Sequence, residues 1–204
     1  MVKIADIKSR EIIDSRGNPT VESSLILTDG TSGTAAVPSG ASTGRHEAVE
    51  LRDGTKRYNG KGVLKSIANI NDLILPSIKG IELKNQEHLD RILIDLDSSG
   101  NKSVIGANST LAVSLAFSKA LSDSNSMSLF KHLNSDEKYI LPVPMMNILN
   151  GGKHAEGSTD IQEFMIVPVK FTTFSEALRA GCEVYQTLMS LINKKGMDTA
   201  VGDE

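Results

Sequence analysis

The chain has 204 residues, 39% hydrophobic and 23% charged, with a net charge of −3 and a sequence pI of about 5.8. That length fits one large domain or two small ones, and the composition is that of an ordinary globular protein. It lacks the Lys/Arg excess that gives nucleic-acid binders their grip on phosphate backbones, although a small anionic ligand needs only a few local charges. A single cysteine, Cys182, excludes an internal disulfide and points to a reducing cytoplasm. It falls within an apolar helical pattern and is expected to be a buried structural thiol. The opening MVKIADIKSREI carries no basic stretch followed by an apolar run, so no secretory signal is read, and no apolar stretch is long enough for a membrane span.

The first forty residues read as β structure. Ile4, Ile7, Ile12 and Ile13 suggest one strand. Val21, Ser23, Leu25 and Leu27 alternate with Glu22, Ser24 and Ile26 in a second, and Asp29-Gly30 signals a hairpin turn into a third at Thr34–Val37. Apolar residues then recur at helical spacing: Val63, Ile67, Ile70 and Ile74, with Pro76 near the end; Leu89, Ile92, Leu93 and Leu96; and Leu111, Leu115 and Leu121 with interleaved alanines. A short helix through Leu129 and Leu133 closes this part. A three-stranded antiparallel meander followed by helices is an α+β pattern, assigned to residues 1–136.

Residues 137–204 change rhythm to strand, loop, strand, helix, strand. Val143–Leu149 and Ile161–Val167 are strand candidates. A long amphipathic helix from about Phe174 to Asn193 places Leu178, Cys182, Tyr185, Leu188 and Ile192 on one face, and Thr173 with Glu176 fits a capping box at its start. A last short strand is expected before Gly202-Asp203-Glu204. This begins like a β/α barrel, yet a complete barrel takes about 250 residues. The expectation is therefore a truncated barrel, with apolar strand edges open to aggregation.

Four segments carry candidate chemistry. Asp14-Ser15-Arg16-Gly17-Asn18-Pro19-Thr20-Val21-Glu22 reads adequately as a plain turn between strands. Val37-Pro38-Ser39-Gly40-Ala41-Ser42-Thr43-Gly44 is either a surface loop or a cradle whose backbone groups and serine oxygens bind phosphate or a hard cation. It is not a Walker loop, because no Gly-Lys-Ser/Thr follows. Asn147-Ile148-Leu149-Asn150-Gly151-Gly152-Lys153-His154 ends a strand in a glycine turn with one histidine, solvated or in a barrel's active-site loop. Glu163 sits in an apolar run, where an unpaired charge is expensive, so it is either paired structurally or an acid/base group. Glu204 is a second strand carboxylate, and of two neighbouring carboxylates one keeps its proton to higher pH and can serve as an acid.

Taken in order, DSRGNPTVE, VPSGASTG, HEAVELRDG with NGKGV, NGGKHA, QEFMIVP, SEALRAGCEVYQTL and the closing GDE resemble the enolase family along nearly the whole chain. The resemblance implies an amino-terminal α+β capping domain and a modified eight-stranded β/α barrel. It implies Mg²⁺-dependent, reversible dehydration of 2-phospho-D-glycerate to phosphoenolpyruvate in glycolysis, with a lysine base and two Mg²⁺ ions. That pattern of base and metal is a known feature of the superfamily. By the same resemblance Glu204 is the general acid, Glu163 shares its proton, Gln162 and His154 face the substrate, and Ser42 ligates the second Mg²⁺ from a loop that closes over the ligand.

In the family the first-site Mg²⁺ carboxylates, the lysine base and the phosphate-binding arginine and serine lie beyond the position of Glu204. The 204 residues alone are accordingly expected to be inactive. Gly106-Ala107-Asn108-Ser109-Thr110 departs from the family where hydrophobic residues are commoner, and reads as a helix-start variation. The family further implies a homodimer or higher oligomer in the cytoplasm, with cell-surface or secreted forms. An alternative of another class is a non-catalytic surface-binding or scaffold role of the plasminogen-binding type, which no sequence feature here specifically supports. A racemase or cycloisomerase of the wider superfamily is disfavoured by SGASTG, NGGKHA and QEFM.

Overall fold

Alternation decides the first sheet. Strand β2 (Pro19–Leu27) buries Val21, Ser23, Leu25 and Leu27 and leaves Glu22, Ser24 and Ile26 half-buried, so one face turns to the core. It pairs antiparallel with β1 (Val2–Ile13) on one side and β3 (Ser32–Ala36) on the other. The Asp29-Gly30 turn forms as expected, with the Gly30 amide donating to Leu27 and φ at +89°. In this computed structural model every residue is described except 41–42, 135–137, 156, 198 and 200–204. The chain divides into two compact units, Met1–Ser135 and Asp136–Glu204.

Where three strands were expected, the sheet of the first unit has a fourth. Glu82–Leu83 (β4) adds to the free edge of β1 opposite Val2 and Lys3, giving the order β3-β2-β1-β4. Two residues carry no periodic signal, so this strand is invisible to pattern reading. The helical group follows the expected spacing with two departures, the first in the helix Ala107–Ser124, where Leu111 and Leu115 are exposed and the interleaved alanines lie inside, and the second in the first helix. Helix α1 (Leu64–Asn69) passes through a wide turn, Ile70–Ile74, into α2 (Leu75–Ile78). The Leu75 amide reaches back to the Ile70 carbonyl, five residues instead of four, just before Pro76, which has no amide to donate.

Helix α3 (Gln86–Leu96) is capped by the Asn85 side chain, and α4 (Ala107–Ser124) lies against the sheet. Its alanines let the backbones approach closely: a Cβ on Gly33 of β3 would lie 2.1 Å from the Ala116 carbonyl oxygen. Phe117, Leu25, Ile4, Ile70, Leu89 and Leu93 are among the fully buried members of one core. The Gly106–Thr110 helix start has structural work of its own, because the Asn108 amide both donates to and accepts from the Leu51 backbone. A short helix, α5 (Leu129–Leu133), follows.

The second unit holds β5 (Met146–Asn150), β6 (Glu163–Ile166) and α6 (Phe174–Lys194). The two strands pair antiparallel, because the connection from 151 to 162 contains no crossover helix to return the chain parallel. Thr173 caps α6 through its Oγ1, which accepts the Glu176 amide at 3.2 Å. Only half of the capping box forms: the Glu176 carboxylate pairs with Arg179 rather than with the Thr173 backbone.

The buried stripe of α6 is also phased differently from the expectation. Ala177 and Gly181 are buried, in line with the half-buried Tyr185, Leu188 and Ile192, while Leu178 and Cys182 are exposed. Small residues win the inner positions because a strand side chain occupies the space: a Cβ on Gly181 would fall 2.0 Å from Met146 Cε. Cys182 is therefore a surface thiol in this chain and not the buried one expected.

Candidate functional site: a buried histidine between an amide and a carboxylate

Strand β5 ends in two glycines, and each has a steric reason to be there. A Cβ on Gly151 would lie 2.2 Å from the Thr159 carbonyl oxygen and 2.4 Å from that of Ile161. Gly152 adopts φ +56°, a left-handed conformation that side chains resist. The loop then folds back on itself. The Gly151 amide donates to the Gln162 carbonyl at 2.9 Å, the Gly152 amide to Thr159 at 2.8 Å, and the His154 amide to Gly151 at 3.0 Å. Ser158 Oγ closes the loop by donating to the Asn150 carbonyl.

This folding carries His154 beneath the start of β6. The histidine is 4% exposed. Its Nε2 lies 3.0 Å from Gln162 Nε2, and its Nδ1 lies 3.3 Å from Glu163 Oε1. The Gln162 amide can donate to Nε2 in the tautomer that leaves that nitrogen unprotonated, and Nδ1 stands within ion-pair distance of the Glu163 carboxylate.

Three residues singled out in the sequence, His154, Gln162 and Glu163, are thus brought together. Glu163 corrects one expectation. It is not buried in an apolar run: its side chain is 37% exposed, because the outer face of the two-stranded sheet around it is largely uncovered. Solvent reaches the carboxylate, so desolvation does not force a partner on it, and His154 is its partner by geometry. Glu204 and Ser42 lie outside the described residues, as does the last strand before Glu204.

The Ser/Gly loop in the first unit is legible at both ends. Val37 is tied to β2, its amide donating to the Val21 carbonyl, the Ser39 carbonyl accepts from Arg16 in the β1–β2 turn, and the Gly44 amide donates to Glu47 Oε2 at 2.7 Å. The loop's hydroxyl and carbonyl oxygens are hard donors, the kind that suit Mg²⁺. In kind this donor set fits the ion, though Ser39 Oγ is already engaged by Glu50 and Arg52. Among the described residues no group of three or more His, Cys, Asp or Glu side chains could hold a metal ion. No helix among them is long and apolar enough to cross a membrane.

Sequence reading treated Arg16 as part of a plain turn and did not single out Arg52, although both reach Ser39. The available signal was an arginine at the tip of a Gly-Asn-Pro turn, where a solvated bend has no need of a long cationic side chain.

Comparison with known proteins agrees along the whole chain. Residues 4–133 match the family model described as enolase, N-terminal domain, and residues 138–204 match that of the enolase C-terminal TIM barrel domain. The chain is 53% identical over 204 residues to the protein named Enolase from Corynebacterium kroppenstedtii, an alignment covering 100% of this chain and 48% of that protein. The chain spans about half the length of this curated relative. An α+β domain of antiparallel strands and helices is followed by residues of a TIM-barrel domain, and the chain belongs to the enolase family.

Proposed function

We propose that the chain supplies the acid side of a phosphopyruvate hydratase, which reversibly dehydrates 2-phospho-D-glycerate to phosphoenolpyruvate in glycolysis and gluconeogenesis. The observation that carries this reading is His154, buried and aimed at Glu163 Oε1 with Gln162 on its other nitrogen. The reaction removes a weakly acidic proton beside a carboxylate and expels a hydroxyl, a poor leaving group until it is protonated. Bound Mg²⁺ would supply charge neutralisation for the dianionic enolate.

The family resemblance supports these roles for the chain's own residues. Gln162 offers its amide to the substrate's polar groups. His154, beside Glu163, faces the substrate, and the solvent-reached Glu163 carboxylate helps to orient the departing hydroxyl. By the family resemblance Glu204 would deliver the proton, and a carboxylate pair of Glu204 and Glu163 would share it. Ser42 is the proposed ligand for the second Mg²⁺.

Phosphoenolpyruvate formation, followed by its ultraviolet absorbance with excess Mg²⁺, tests the reading. Protein expressed from the complete reading frame is expected to turn over, and the 204 residues alone to be inert. A folded, natural-length protein that forms no phosphoenolpyruvate overturns it.

A further inference from the structure

Strand β5 does not alternate cleanly. Met146 pairs with Ile166 and Asn147 with Met165, but Leu149 pairs with Phe164 and Asn150 with Glu163. The register shifts by one residue, so Ile148 is an insertion in β5, a β-bulge. Successive strand side chains point to opposite faces, and that single insertion decides which face the end of β5 presents. Met146 and Ile166 lie on the α6 side, where a Cβ on Gly181 would fall 2.0 Å from Met146 Cε and 3.8 Å from Ile166 Cδ1. Strict alternation from Met146 would send Asn150 to that side as well. With the insertion, Asn147 and Asn150 both stand on the opposite face, across from Met165 and Glu163.

The bulge is braced by its own flanks. Asn147 Nδ2 donates to Asn150 Oδ1, spanning the extra residue. Asn147 Oδ1 is buried with no hydrogen-bond partner among the described residues. An unpaired buried acceptor is a net cost to the fold, so stability alone would favour an apolar side chain here. A local rule broken in this way calls for a reason outside stability. The register downstream supplies one. In the shifted register the Gly151 amide meets the Gln162 carbonyl at 2.9 Å. His154 Nδ1 then stands 3.3 Å from Glu163 Oε1, and its Nε2 stands 3.0 Å from Gln162 Nε2. A slip of one residue moves a strand by about 3.3 Å, as large as the contacts themselves.

We propose that Asn147 and Asn150 are positioning residues: their amide pair holds the bulge that sets the register in which His154 meets Glu163. This rests on the reading of Glu163 as part of the dehydratase site. Neither asparagine touches substrate; both act through the course of β5.

Protein from the complete reading frame serves for two readouts. Hydrogen exchange, expressed as the protection factor of the Gly151 amide, reports the register without any activity. Asn147→Ala and Asn150→Ala are each expected to lower that protection about tenfold, while the Leu188 amide in α6 keeps its wild-type value. The double variant should lose no more than either single one, because each residue acts only through the other. In phosphoenolpyruvate formation, Asn147→Ala should lower kcat about tenfold while KM moves less than about threefold. Wild-type protection of Gly151 in both single variants overturns the proposal, as do losses that add in the double variant. Equal loss at Leu188 overturns it too, since that is general loosening. So does a wild-type kcat in Asn147→Ala once Gly151 has lost its protection. If Asn147→Ala fails to fold, Asn150→Ala carries both readouts. Wild-type protein that forms no phosphoenolpyruvate brings down the dehydratase reading, and Gly151 protection still decides whether the amide pair holds the bulge.

Discussion

The Asp53 carboxylate caps a helix that begins eleven residues later: its Oδ2 accepts the Leu64 amide at 3.1 Å. Its other oxygen accepts the Lys65 amide at 2.8 Å. Val63, in the N-cap position of α1, has no acceptor to offer, so a residue brought in by tertiary structure does the work of a local Ser or Asp. Gly62 leaves the room for it, since a Cβ there would lie 2.3 Å from Asp53 Oδ2. Asp53→Ala is expected to cost about 1–2 kcal/mol, and Asp53→Asn, which keeps one acceptor, about half as much. Urea midpoints for the two variants check this; an unshifted midpoint in Asp53→Ala would mean the amides have found another acceptor.

Gly33 packs against the α4 backbone with no space for a methyl group. Gly33→Ala drives a Cβ into the Ala116 carbonyl and the Ala120 amide, atoms that cannot rotate away. The expected loss is about 1–3 kcal/mol, which for a chain of this size lowers the thermal midpoint by roughly 2–4 °C per kcal/mol. Calorimetry on the single variant measures it, and a wild-type midpoint would contradict so close an approach.

Two carboxylates in the first unit make its stability depend on acidity. Burial pushes the Asp97 carboxyl up, but hydrogen bonds from Ser99 Oγ and from the Ile105, Ser99 and Val104 amides outweigh it and hold the group below its ordinary value of 3.8. The hydrogen bond from Arg57 holds Glu11 below its ordinary 4.5, against the opposing effect of burial. A carboxyl depressed in the folded state binds its proton more readily when unfolded. Its stabilisation is therefore complete above the ordinary carboxylate range and drains away as pH falls through the lower, folded value. Stability measured by urea should drop below about pH 4.5, and Asp97→Asn should flatten that acid limb while lowering the plateau at neutral pH. Superimposable acid limbs would remove Asp97 from the account.

His154 and Glu163 are expected to separate fold from chemistry. Glu163→Gln changes a solvent-reached group, so the melting curve should stay within about 0.5 kcal/mol of wild type. Phosphoenolpyruvate formation by the natural-length protein should nevertheless fall by roughly two to four orders of magnitude. His154→Ala empties a buried position beneath β6 and should cost about 2 kcal/mol of stability as well as activity. Equal turnover in Glu163→Gln and wild type would exclude the carboxylate from proton handling.

Cys182 should react with a thiol reagent in the native 204-residue chain, without denaturant, at the rate of an exposed thiol. A thiol that appears only on unfolding would restore the buried placement suggested by the helical pattern.

Long periodic signals were the legible part of this chain. The alternation of Val21, Ser23, Leu25 and Leu27 placed β2, and the Leu/Ala spacing placed α4, whose inner face is formed by Ala112, Ala116, Ala120 and Leu121 while Leu111 and Leu115 are exposed. What periodicity could not convey was partnership. Glu82 and Leu83 form a strand only because the edge of β1 is free beside them. On α6 the size of Leu178 suggested an inner position, while contact with Met146 reserves that position for Gly181. Glu163 looked buried by its apolar neighbours, but burial depends on what covers the strand, and a single residue's surroundings in sequence say nothing of that. His154 and Glu163 stood out by position, a lone histidine after two glycines and a carboxylate among apolar residues, and the family resemblance added Gln162; their convergence depends on two glycines whose close contacts appear only in three dimensions.

All members of the main core, from Ile4 to Leu121, come from the first unit. With its described core members all lying within Met1–Ser135, that unit is expected to reach its native state on a translating ribosome while β5 is still being threaded through the exit tunnel. Vectorial synthesis then meets the later strands with the first unit finished, and a nascent chain stalled late enough for Met1–Ser135 to have left the tunnel should already resist protease over that unit.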